Sequence, residues 1–391
     1  MTNFNGRRIL FYVPGNDVMA SGVYHTQVFG LAQFMVRHGA ECVIIHTSKK
    51  NAAPDEIVVD GVHIWHCPNI PGRYWLPFVP IKFRRMVKPL EHRISQFSPT
   101  HVYARDSYAG VAAIPLVRRL GARYVFSVRG AGLAKSDRSL FVLIKELLLR
   151  VMSWRVFHSV DHLSSVCLTL RDYVRKYYHY RGDDSIFPGS AADDKFTEMS
   201  KEDVLACRRE LSIPEDGCVV IYSGSIGWYQ NLDAIVGLMK AMHDLDNSLI
   251  FLFLVRDKEG IAEIARRIGL PADCYRTHFS EPKDVGRYLK IATAAFALRT
   301  DDTITRLASP IKVGEYLAAG LGVIVNPWIG DMRRNLGSVG CAMLYDGSQS
   351  PEELVRFVQS INDTKRREAR SLGRKYYSYE GNINAIERMF A

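Results

Sequence analysis

Residues 309–327 combine residue types that bind anions and neighbouring hydroxyl groups. The segment reads Ser-Pro-Ile-Lys-Val-Gly-Glu-Tyr-Leu-Ala-Ala-Gly-Leu-Gly-Val-Ile-Val-Asn-Pro, which predicts a polar loop, a helix of about two turns, a glycine stop and a buried strand. Free N–H groups at the start of a helix favour an anion, and Lys312 adds a full positive charge there. Glu315, one turn later, has a carboxylate that accepts hydrogen bonds from the two hydroxyls of a ribose. Together these features predict a nucleoside-diphosphate site.

The order of residues in this segment resembles the donor-binding segment of a known enzyme family. Pro310 and Lys312 precede Glu315-Tyr-Leu-Ala-Ala-Gly, as in retaining glycosyltransferases of the GT-B fold, the family 4-like type that uses nucleotide sugars. The resemblance implies that Glu315 holds the ribose hydroxyls and that the loop of Ser309, Pro310 and Ile311 lies against the diphosphate and sugar. Because loop, helix and strand also follow one another in α/β proteins without ligands, a purely structural role is the alternative.

Three further stretches extend the resemblance over nearly the whole chain. Ser21-Gly22-Val23 follows the first strand and resembles the family's glycine loop at which acceptor and donor phosphates meet. Tyr222-Ser-Gly-Ser-Ile-Gly227, with Gly224 and Ser225, resembles the second glycine turn. Ile186-Phe-Pro-Gly189 followed by Asp193-Asp-Lys-Phe196 resembles the entry into the second domain. A glycine turn after a strand is common in α/β proteins, so order and spacing relative to Glu315 carry this prediction.

The chain departs from the family where positive charge is expected. Ser225 and Gln230 occupy the places of an Arg and a Lys that grip the diphosphate, and Leu307 occupies that of a second glutamate. The common Gly-x-Gly is replaced by Arg-Asp-Lys at 256–258. A buried diphosphate needs cations. We therefore expect Lys312 to bind it, with help from Arg299 or Arg306.

The resemblance implies sugar transfer with retention, driven by preplaced positive groups and not by a protein nucleophile. Arg129-Gly130 stands where the family often has a catalytic histidine, so Arg129 is a candidate to orient donor sugar or acceptor. Arg105-Asp106 follows the fourth strand, and Asp106 is a candidate base for the acceptor hydroxyl. Ser21, Arg105 and Gly130 are placed on the acceptor side. Each of these residues also has a plain structural interpretation as an ion-pair partner or turn residue.

No metal or other cofactor is expected. The acidic pairs Asp183-Asp184, Asp193-Asp194 and Asp301-Asp302 each lie in a predicted loop, where we interpret them as solvated. The seven cysteines are an odd number without a C-x-x-C pair, which indicates reduced thiols and argues against zinc.

The elements that position these residues predict an α/β fold with two Rossmann-like domains, and the family resemblance implies that they are arranged as in the GT-B fold. Apolar strands alternate with amphipathic helices, which indicates parallel sheets covered on both faces. The pattern pauses near 181–184 and restarts. We predict an acceptor-binding domain at 1–180, a nucleotide-sugar domain at 181–373 and a C-terminal helix at 374–391 that returns to the first domain. A ligand cleft between the domains, at the carboxyl ends of both sheets, is expected. The predicted strands are Ile9–Val13, Glu41–His46, His63–His66, His101–Tyr103, Tyr124–Val128, His162–Ser165, Val219–Ser223, Leu249–Val255, Ala294–Leu298 and Val323–Val325, and the predicted helices include Val23–His38, Tyr108–Leu120, Leu140–Val156, Ser200–Leu211, Asn231–Met242 and Glu259–Ile268.

Charge is distributed unevenly along the 391 residues. Residues 1–180 contain 24 Lys/Arg and 11 Asp/Glu, a net of +13, whereas residues 181–391 have a net of −3. Residues 73–85 mix aromatic and basic side chains, as at a lipid headgroup interface. No apolar run is long enough for a transmembrane helix, and the start lacks a signal-peptide pattern. We expect a cytoplasmic protein, peripheral on the inner membrane face, with a saccharide or lipid-linked saccharide acceptor.

Other function classes stay open at this point. A nucleotide-sugar epimerase would share the fold and donor site but needs no acceptor. A non-catalytic binding protein fits the replaced family positions. A dehydrogenase is disfavoured because Pro-Gly-Asn-Asp at 14–17 is not a dinucleotide-binding glycine motif, and no nucleic-acid motif accompanies the pI of about 9.2. The sugar, base, acceptor and oligomeric state are not specified by the sequence.

Overall fold

The chain divides into two compact units. The computed structural model describes residues 3–19, 22–47, 55–70, 78–130, 140–189, 197–281 and 284–391, and for 140–142 it describes the backbone alone. The first unit comprises Met1–Pro188 with Asn382–Ala391, and the second comprises Gly189–Gly381. Sequence patterns place the corresponding boundaries at 181 and 374. Some residues with sequence-based predictions lie outside the described residues, namely Ser21, residues 73–77 and residues 193–196.

The first unit is built on an eight-stranded sheet in the order β3-β4-β2-β1-β5-β6-β7-β8. All neighbouring strands are parallel except β3 and β4, which are antiparallel. In register, Ile9 pairs with Cys42 on one side and with His101 on the other. The strands are β1 Arg8–Tyr12, β2 Glu41–His46, β3 Glu56–Val59, β4 Val62–His66, β5 His101–Ala104, β6 Arg123–Val128, β7 His162–Ser165 and β8 Asp183–Ile186.

Helices alternate with these strands, as the apolar periodicity predicts. Those before the second unit are α1 Gly22–Tyr24, α2 Gly30–Arg37, α3 Val79–Val87, α4 Glu91–Phe97, α5 Ser107–Leu120, α6 Leu140–Phe157 and α7 Leu168–Tyr178. A π-helical turn, His25–Phe29, joins α1 to α2, and a 3-10 turn, Lys88–Leu90, joins α3 to α4. Pro115 interrupts the hydrogen bonding of α5 because it lacks an N–H. Arg84 of α3 compensates by donating from Nη2 to the Val111 carbonyl oxygen at 3.0 Å.

The second unit has a six-stranded, wholly parallel sheet in the order β11-β10-β9-β12-β13-β14. Alternate residues of β9 pack into two apolar cores on opposite faces of the sheet. Val219 and Ile221 belong to one core. Val220 and Tyr222 belong to the other. Burial on both faces explains why the strands read as continuous apolar runs. The strands are β9 Val219–Ser223, β10 Ile250–Leu254, β11 Tyr275–His278, β12 Ala294–Ala297, β13 Gly322–Val325 and β14 Ala342–Leu344.

The helices of the second unit cover both faces of this sheet. They are α8 Lys201–Glu210, α9 Leu232–Leu245, α10 Lys258–Ile268, α11 Val285–Leu289, α12 Thr303–Arg306, α13 Ile311–Ala318, α14 Met332–Leu336, α15 Pro351–Gln359 and α16 Asp363–Tyr377, with 3-10 turns at Trp228–Gln230 and Glu380–Asn382. Helix α13 is the two-turn helix predicted after Pro310, and it packs on α16. The last helix, α17 Ile383–Met389, belongs to the first unit. There the Phe390 ring lies 5.7 Å from that of His101, and Arg388 donates to Asp183 at 2.9 Å.

All ten predicted strands are confirmed, with bounds that are identical or differ by one residue at one or both ends. Four strands were not predicted, β3, β8, β11 and β14, and each is at an edge of its sheet. The prediction that Asp183-Asp184 lies in a loop was wrong, because both residues belong to β8. Asp183 is bound there by Arg388, and Asp184 by Arg175. Both carboxylates therefore have structural cationic partners.

The described residues contain no membrane-spanning helix, no cluster of metal ligands and no disulfide. None of their helices is long and apolar enough to cross a membrane. No three His, Cys, Asp or Glu side chains among them are grouped so that they could hold a metal ion. All seven cysteines fall within the described residues, and no two of them form a disulfide.

Candidate functional site

A tight turn after β9 brings the backbone close to the start of α13. Gly224 has a φ of +137°, a conformation that L side chains rarely adopt. Its N–H donates to the Leu254 carbonyl oxygen at 3.0 Å. A Cβ added at Gly224 would lie 3.0 Å from Nζ of Lys312. The glycine therefore leaves room for the Lys312 ammonium, while the neighbouring Ser225 is exposed.

Lys312 is held above this turn by an aromatic ring and an amide. Its Nζ lies 4.2 Å from the ring centroid of Tyr222 and donates to Oε1 of Gln230 at 2.9 Å. Burial lowers the pKa of Lys312 well below its usual range, Arg299 lowers it further, and Glu315 opposes the shift. An ammonium in this position is poorly compensated by the protein, so an anionic ligand would stabilise its charged form.

Arg299 provides a second cation beside Lys312. It follows β12, and its guanidinium lies 5.3 Å from the ring centroid of Tyr229. Burial lowers the pKa of Arg299, while the nearby Tyr229 and Tyr222 oppose the shift. Its buried Nε has no hydrogen-bond partner among the described residues. Two adjacent, partly buried cations repel each other, and this repulsion is relieved by an anion.

The start of α13 adds backbone donors to the two cations. Pro310 is the N-cap residue, has extended backbone angles and makes no side-chain cap to the helix. Pro310 is buried, whereas Ser309 and Ile311 are partly exposed. Glu315 lies one turn into the helix, is partly exposed and interacts electrostatically with Lys312. The structure thus brings Gly224, Lys312 and Arg299 together at the carboxyl end of the second sheet.

Arg306 is in a different environment. Its Nε and Nη2 both donate to the Asp301 carboxylate, at 2.6 Å and 2.8 Å, and both side chains are largely exposed. The Asp301 hydrogen bond and charge raise the pKa of Arg306. Asp302 is the N-cap residue of α12, with Thr305 completing a capping box. The acidic pair at 301–302 therefore has local structural partners.

In the first unit, Arg105 follows β5 and is buried. Its Nη2 donates to Oε1 of Gln27, and its guanidinium lies 4.8 Å from the ring centroid of Tyr24. Burial and the charge of Arg129 lower the pKa of Arg105 to about 10. Nη1 of Arg105 is buried and has no partner among the described residues. Tyr24 and Gln27 had no predicted role, because nothing in the sequence links them to Arg105.

Arg129 follows the neighbouring strand β6, as predicted, and lies near Arg105. Its Nη2 approaches the Tyr103 hydroxyl at 3.4 Å, and its Nη1 approaches the Phe187 carbonyl oxygen at 3.5 Å. Burial would raise the pKa of Tyr103, but the two arginines outweigh it and the pKa is lowered. Gly130 is partly exposed, and no atom of the described residues lies within 4 Å of a Cβ added there. Two arginines and a tyrosine hydroxyl thus meet at the carboxyl end of the first sheet.

Asp106 has a structural task in addition to any chemical one. Its Oδ1 accepts from the Ala109 N–H at 2.9 Å as the N-cap of α5. Burial raises the pKa of Asp106, and its buried Oδ2 has no partner among the described residues.

Gly22 is the first residue of helix α1, in agreement with its predicted position after the first strand.

Both the sequence and the fold of this chain are similar to those of known proteins. Residues 24–184, most of the first unit, match the family described as "Glycosyl transferase 4-like domain". Over 98% of both chains, the fold matches that of sucrose-phosphate synthase (tll1590) from Thermosynechococcus elongatus, with a TM-score of 0.77 and 12% identity. Residues 24–184 are therefore similar to a glycosyl transferase 4-like domain, and the chain has the GT-B fold.

Two more similarities concern a further solved structure and a bacterial protein sequence. The fold also matches Anabaena Alr3699/HepE in complex with UDP-glucose, with a TM-score of 0.68, 10% identity and 98% of each chain covered. The putative colanic acid biosynthesis glycosyl transferase WcaI of Escherichia coli (strain K12) is 24% identical over 228 residues. That alignment spans 53% of this chain and 54% of WcaI, about half the length of each protein.

Two tyrosines that contact the cations of this candidate site had no predicted role. Tyr222 and Tyr229 lie under Lys312 and Arg299, respectively. Tyr222 belongs to the predicted glycine-turn motif, but of that motif only Gly224 and Ser225 were given a role. Gln230 was identified as a replacement for a family cation. In the structure Oε1 of Gln230 accepts a hydrogen bond from Nζ of Lys312. A cation from helix α13 therefore lies next to the position at which the family has its own cation.

Proposed function

We propose that the chain transfers a sugar from a nucleoside diphosphate sugar to an acceptor hydroxyl, with retention at the anomeric carbon. The match of residues 24–184 to a glycosyl transferase 4-like domain and the GT-B fold of the chain support the reaction class. The UDP-glucose complex of HepE supports the donor class. The similarity to WcaI favours a role in cell-surface polysaccharide synthesis.

The pairing of Lys312 with Arg299 carries this proposal. A departing nucleoside diphosphate gains negative charge on its leaving oxygen, and fixed cations in a dehydrated site stabilise that charge. Lys312 and Arg299 are already held by Tyr222, Gln230 and Tyr229, so little reorganisation is needed when the charge develops. Glu315 binds the ribose hydroxyls in this proposal, and the α13 N-terminus faces the diphosphate. No metal or cofactor takes part, since these groups supply the charge.

Arg105 and Arg129 act on the acceptor side in the proposal, together with Gly22, Ser21 and Gly130. Nη1 of Arg105 and Nε of Arg129 have no partner in the described part of the chain, and they offer donors to polar groups of an acceptor or of the donor sugar. Asp106 is proposed as the base that accepts the acceptor proton through Oδ2, because a raised pKa suits proton transfer near neutral pH.

The two tasks of Asp106 are separable by substitution. Asn also caps helices, so Asp106→Asn keeps the cap but removes the base. We expect kcat to fall about 100-fold with little change in thermal stability. Asp106→Ala is the control that loses both functions. Full activity in the Asn variant would leave Asp106 with its capping role alone.

The donor proposal is tested by thermal unfolding with uridine, guanosine and cytidine diphosphates and their sugars. A ligand at 100 times its Kd stabilises the folded protein by about 2.7 kcal/mol, so the correct base produces a clear shift. No shift with any member of the panel would contradict the donor site. Product formed without an acceptor would indicate an epimerase, and binding without turnover would indicate a non-catalytic protein.

A further inference from the structure

Helix α6 presents a continuous row of exposed apolar side chains. Five of the thirteen exposed large apolar residues among the described ones lie on it, and they are 50% to 62% exposed. At about 100° per residue, their positions fall within an arc about 100° wide and about 17 Å long. This apolar row consists of Leu143, Ile144, Leu147, Val151 and Trp154.

The opposite side of α6 is fixed against the first unit. Val156 and Phe157 are buried, and the Phe157 ring lies 6.0 Å from that of Phe126 in β6. Oγ of Ser153 lies 3.0 Å from Oγ of Ser107 at the start of α5. These contacts hold the helix in one rotational setting. The apolar row cannot turn into the core without breaking them.

Basic residues border the apolar row on both sides. Arg150 and Arg155 are exposed and project on opposite edges of the row, at the positions that the helical repeat gives them. Helix α7 adjoins α6 through the Phe157 and Tyr178 rings, 4.9 Å apart. It adds Tyr177, which is 59% exposed. Apolar and aromatic groups between cations match the composition of interfacial helices.

We propose that α6 docks the chain on an anionic lipid bilayer. The apolar row enters the headgroup region, and Arg150 and Arg155 meet lipid phosphates at its edges. The surplus of basic residues in 1–180 attracts the same surface. A second copy of the chain fits less well, because a two-fold contact through this row would bring the same arginines of both copies together. The proposal gives the expected membrane contact a helix outside 73–85 and does not depend on the donor site.

The test measures sedimentation of the full chain with phosphatidylcholine vesicles that contain phosphatidylglycerol, at low salt. We expect Leu147→Glu and Val151→Glu each to weaken vesicle binding at least tenfold, since a carboxylate is poorly accommodated in the interface. Arg150→Gln and Arg155→Gln should each weaken it about fivefold, and only on anionic vesicles. Matched controls are Val58→Glu and Leu245→Glu, which are 57% and 50% exposed on other elements. Both should bind vesicles as the unsubstituted chain does.

Trp154 provides a second readout, because its emission should shift to shorter wavelength when vesicles are added. Binding of Leu147→Glu at the unsubstituted level would overturn the proposal. The proposal would also be overturned if the unsubstituted chain did not bind vesicles but formed a dimer that Leu147→Glu dissociates. Failure of this proposal can be distinguished from failure of the donor proposal. Lys312→Met should bind vesicles normally, and Leu147→Glu should keep its thermal shift with nucleoside diphosphates.

Discussion

Lys312 and Arg306 are six positions apart in sequence but lie in different electrostatic environments. Lys312 lies over Tyr222 beside another cation, and burial weakens its protonation. Arg306 is exposed and saturated by a bidentate contact with Asp301. Since exposed ion pairs are screened by water, we expect only the lysine to contribute strongly to binding a diphosphate.

Substitution of Lys312 by Met should therefore raise the KM for the donor or lower kcat at least tenfold, which corresponds to about 1.4 kcal/mol. Arg306→Met is the matched control, and we expect its kcat/KM to stay within about twofold. Steady-state kinetics with the donor identified by thermal shift provide the measurement. Equal losses in the two variants would show that Arg306, too, acts in the site.

Donor binding should also depend on pH through Lys312. The free protein holds the pKa of this ammonium well below its usual range, whereas a bound diphosphate favours the charged form and raises it. Protons are then taken up on binding, and affinity falls as pH rises from the free towards the bound pKa. Calorimetry in buffers of different ionisation enthalpy measures this uptake. Lys312→Met should show a flatter profile, and an unchanged slope in that variant would assign the effect to another group.

Helix α13 is positioned by its close contact with α16. A Cβ added at Gly314 would lie 2.8 Å from Cβ of Tyr377, and Tyr377 is buried with its hydroxyl 3.6 Å from Sδ of Met332. Gly314 thus permits the approach that sets the helix carrying Lys312 and Glu315. In this element, helix packing and ligand binding are linked.

Gly314→Ala should destabilise the second unit by about 1 to 3 kcal/mol, because the added methyl group overpacks this contact. Gly237→Ala is the control, since its Cβ side is open and Gly237 lies within α9. That change should stabilise the protein by about 0.5 to 1 kcal/mol. Denaturant unfolding of both variants measures the difference. Equal stability would mean that α13 and α16 move apart easily.

At the scale of the whole molecule, two buried histidines of the first unit make the stability of the protein depend on pH. Burial and the charge of His66 lower the pKa of His46 to about 4, although Asp17 opposes the shift. Burial lowers the pKa of His101 to about 4 as well, although a hydrogen bond with Ala391 opposes it. The unfolded chain binds these protons near pH 6.5. Stability is therefore lost as pH falls from about 6.5 through 4.

We expect each of the two histidines to remove about 2 to 3 kcal/mol of unfolding free energy between pH 7 and pH 4.5. His46→Gln and His101→Gln should each reduce this pH dependence. His63→Gln is the control, because His63 is half exposed beside Glu56. Urea unfolding at the two pH values measures the effect. An unaltered pH dependence in both buried variants would contradict the assignment.

Much of this protein was determined by local sequence. The central strands are buried on both faces, so their apolar runs stand out. Helix α13 starts directly after Pro310 and ends before Gly320, which has a positive φ, in agreement with the predicted loop and glycine stop. The edge strands β3, β8, β11 and β14 were missed because they are short and partly exposed, as in Tyr275–His278, where each residue is only partly buried. An edge strand depends on its neighbour's backbone donors and acceptors, which lie far away in sequence.

Tertiary structure alone decided which cations meet. The sequence gives Arg299, Arg306 and Lys312 the same formal charge and similar spacing, and nothing local marks Tyr222 and Tyr229 as their supports. The partners lie up to 90 residues apart and are brought together by parallel strands whose carboxyl ends share one edge. Burial and charge at that edge then separate a cation available to a ligand from one neutralised by Asp301, because both depend on the distance between residues in space.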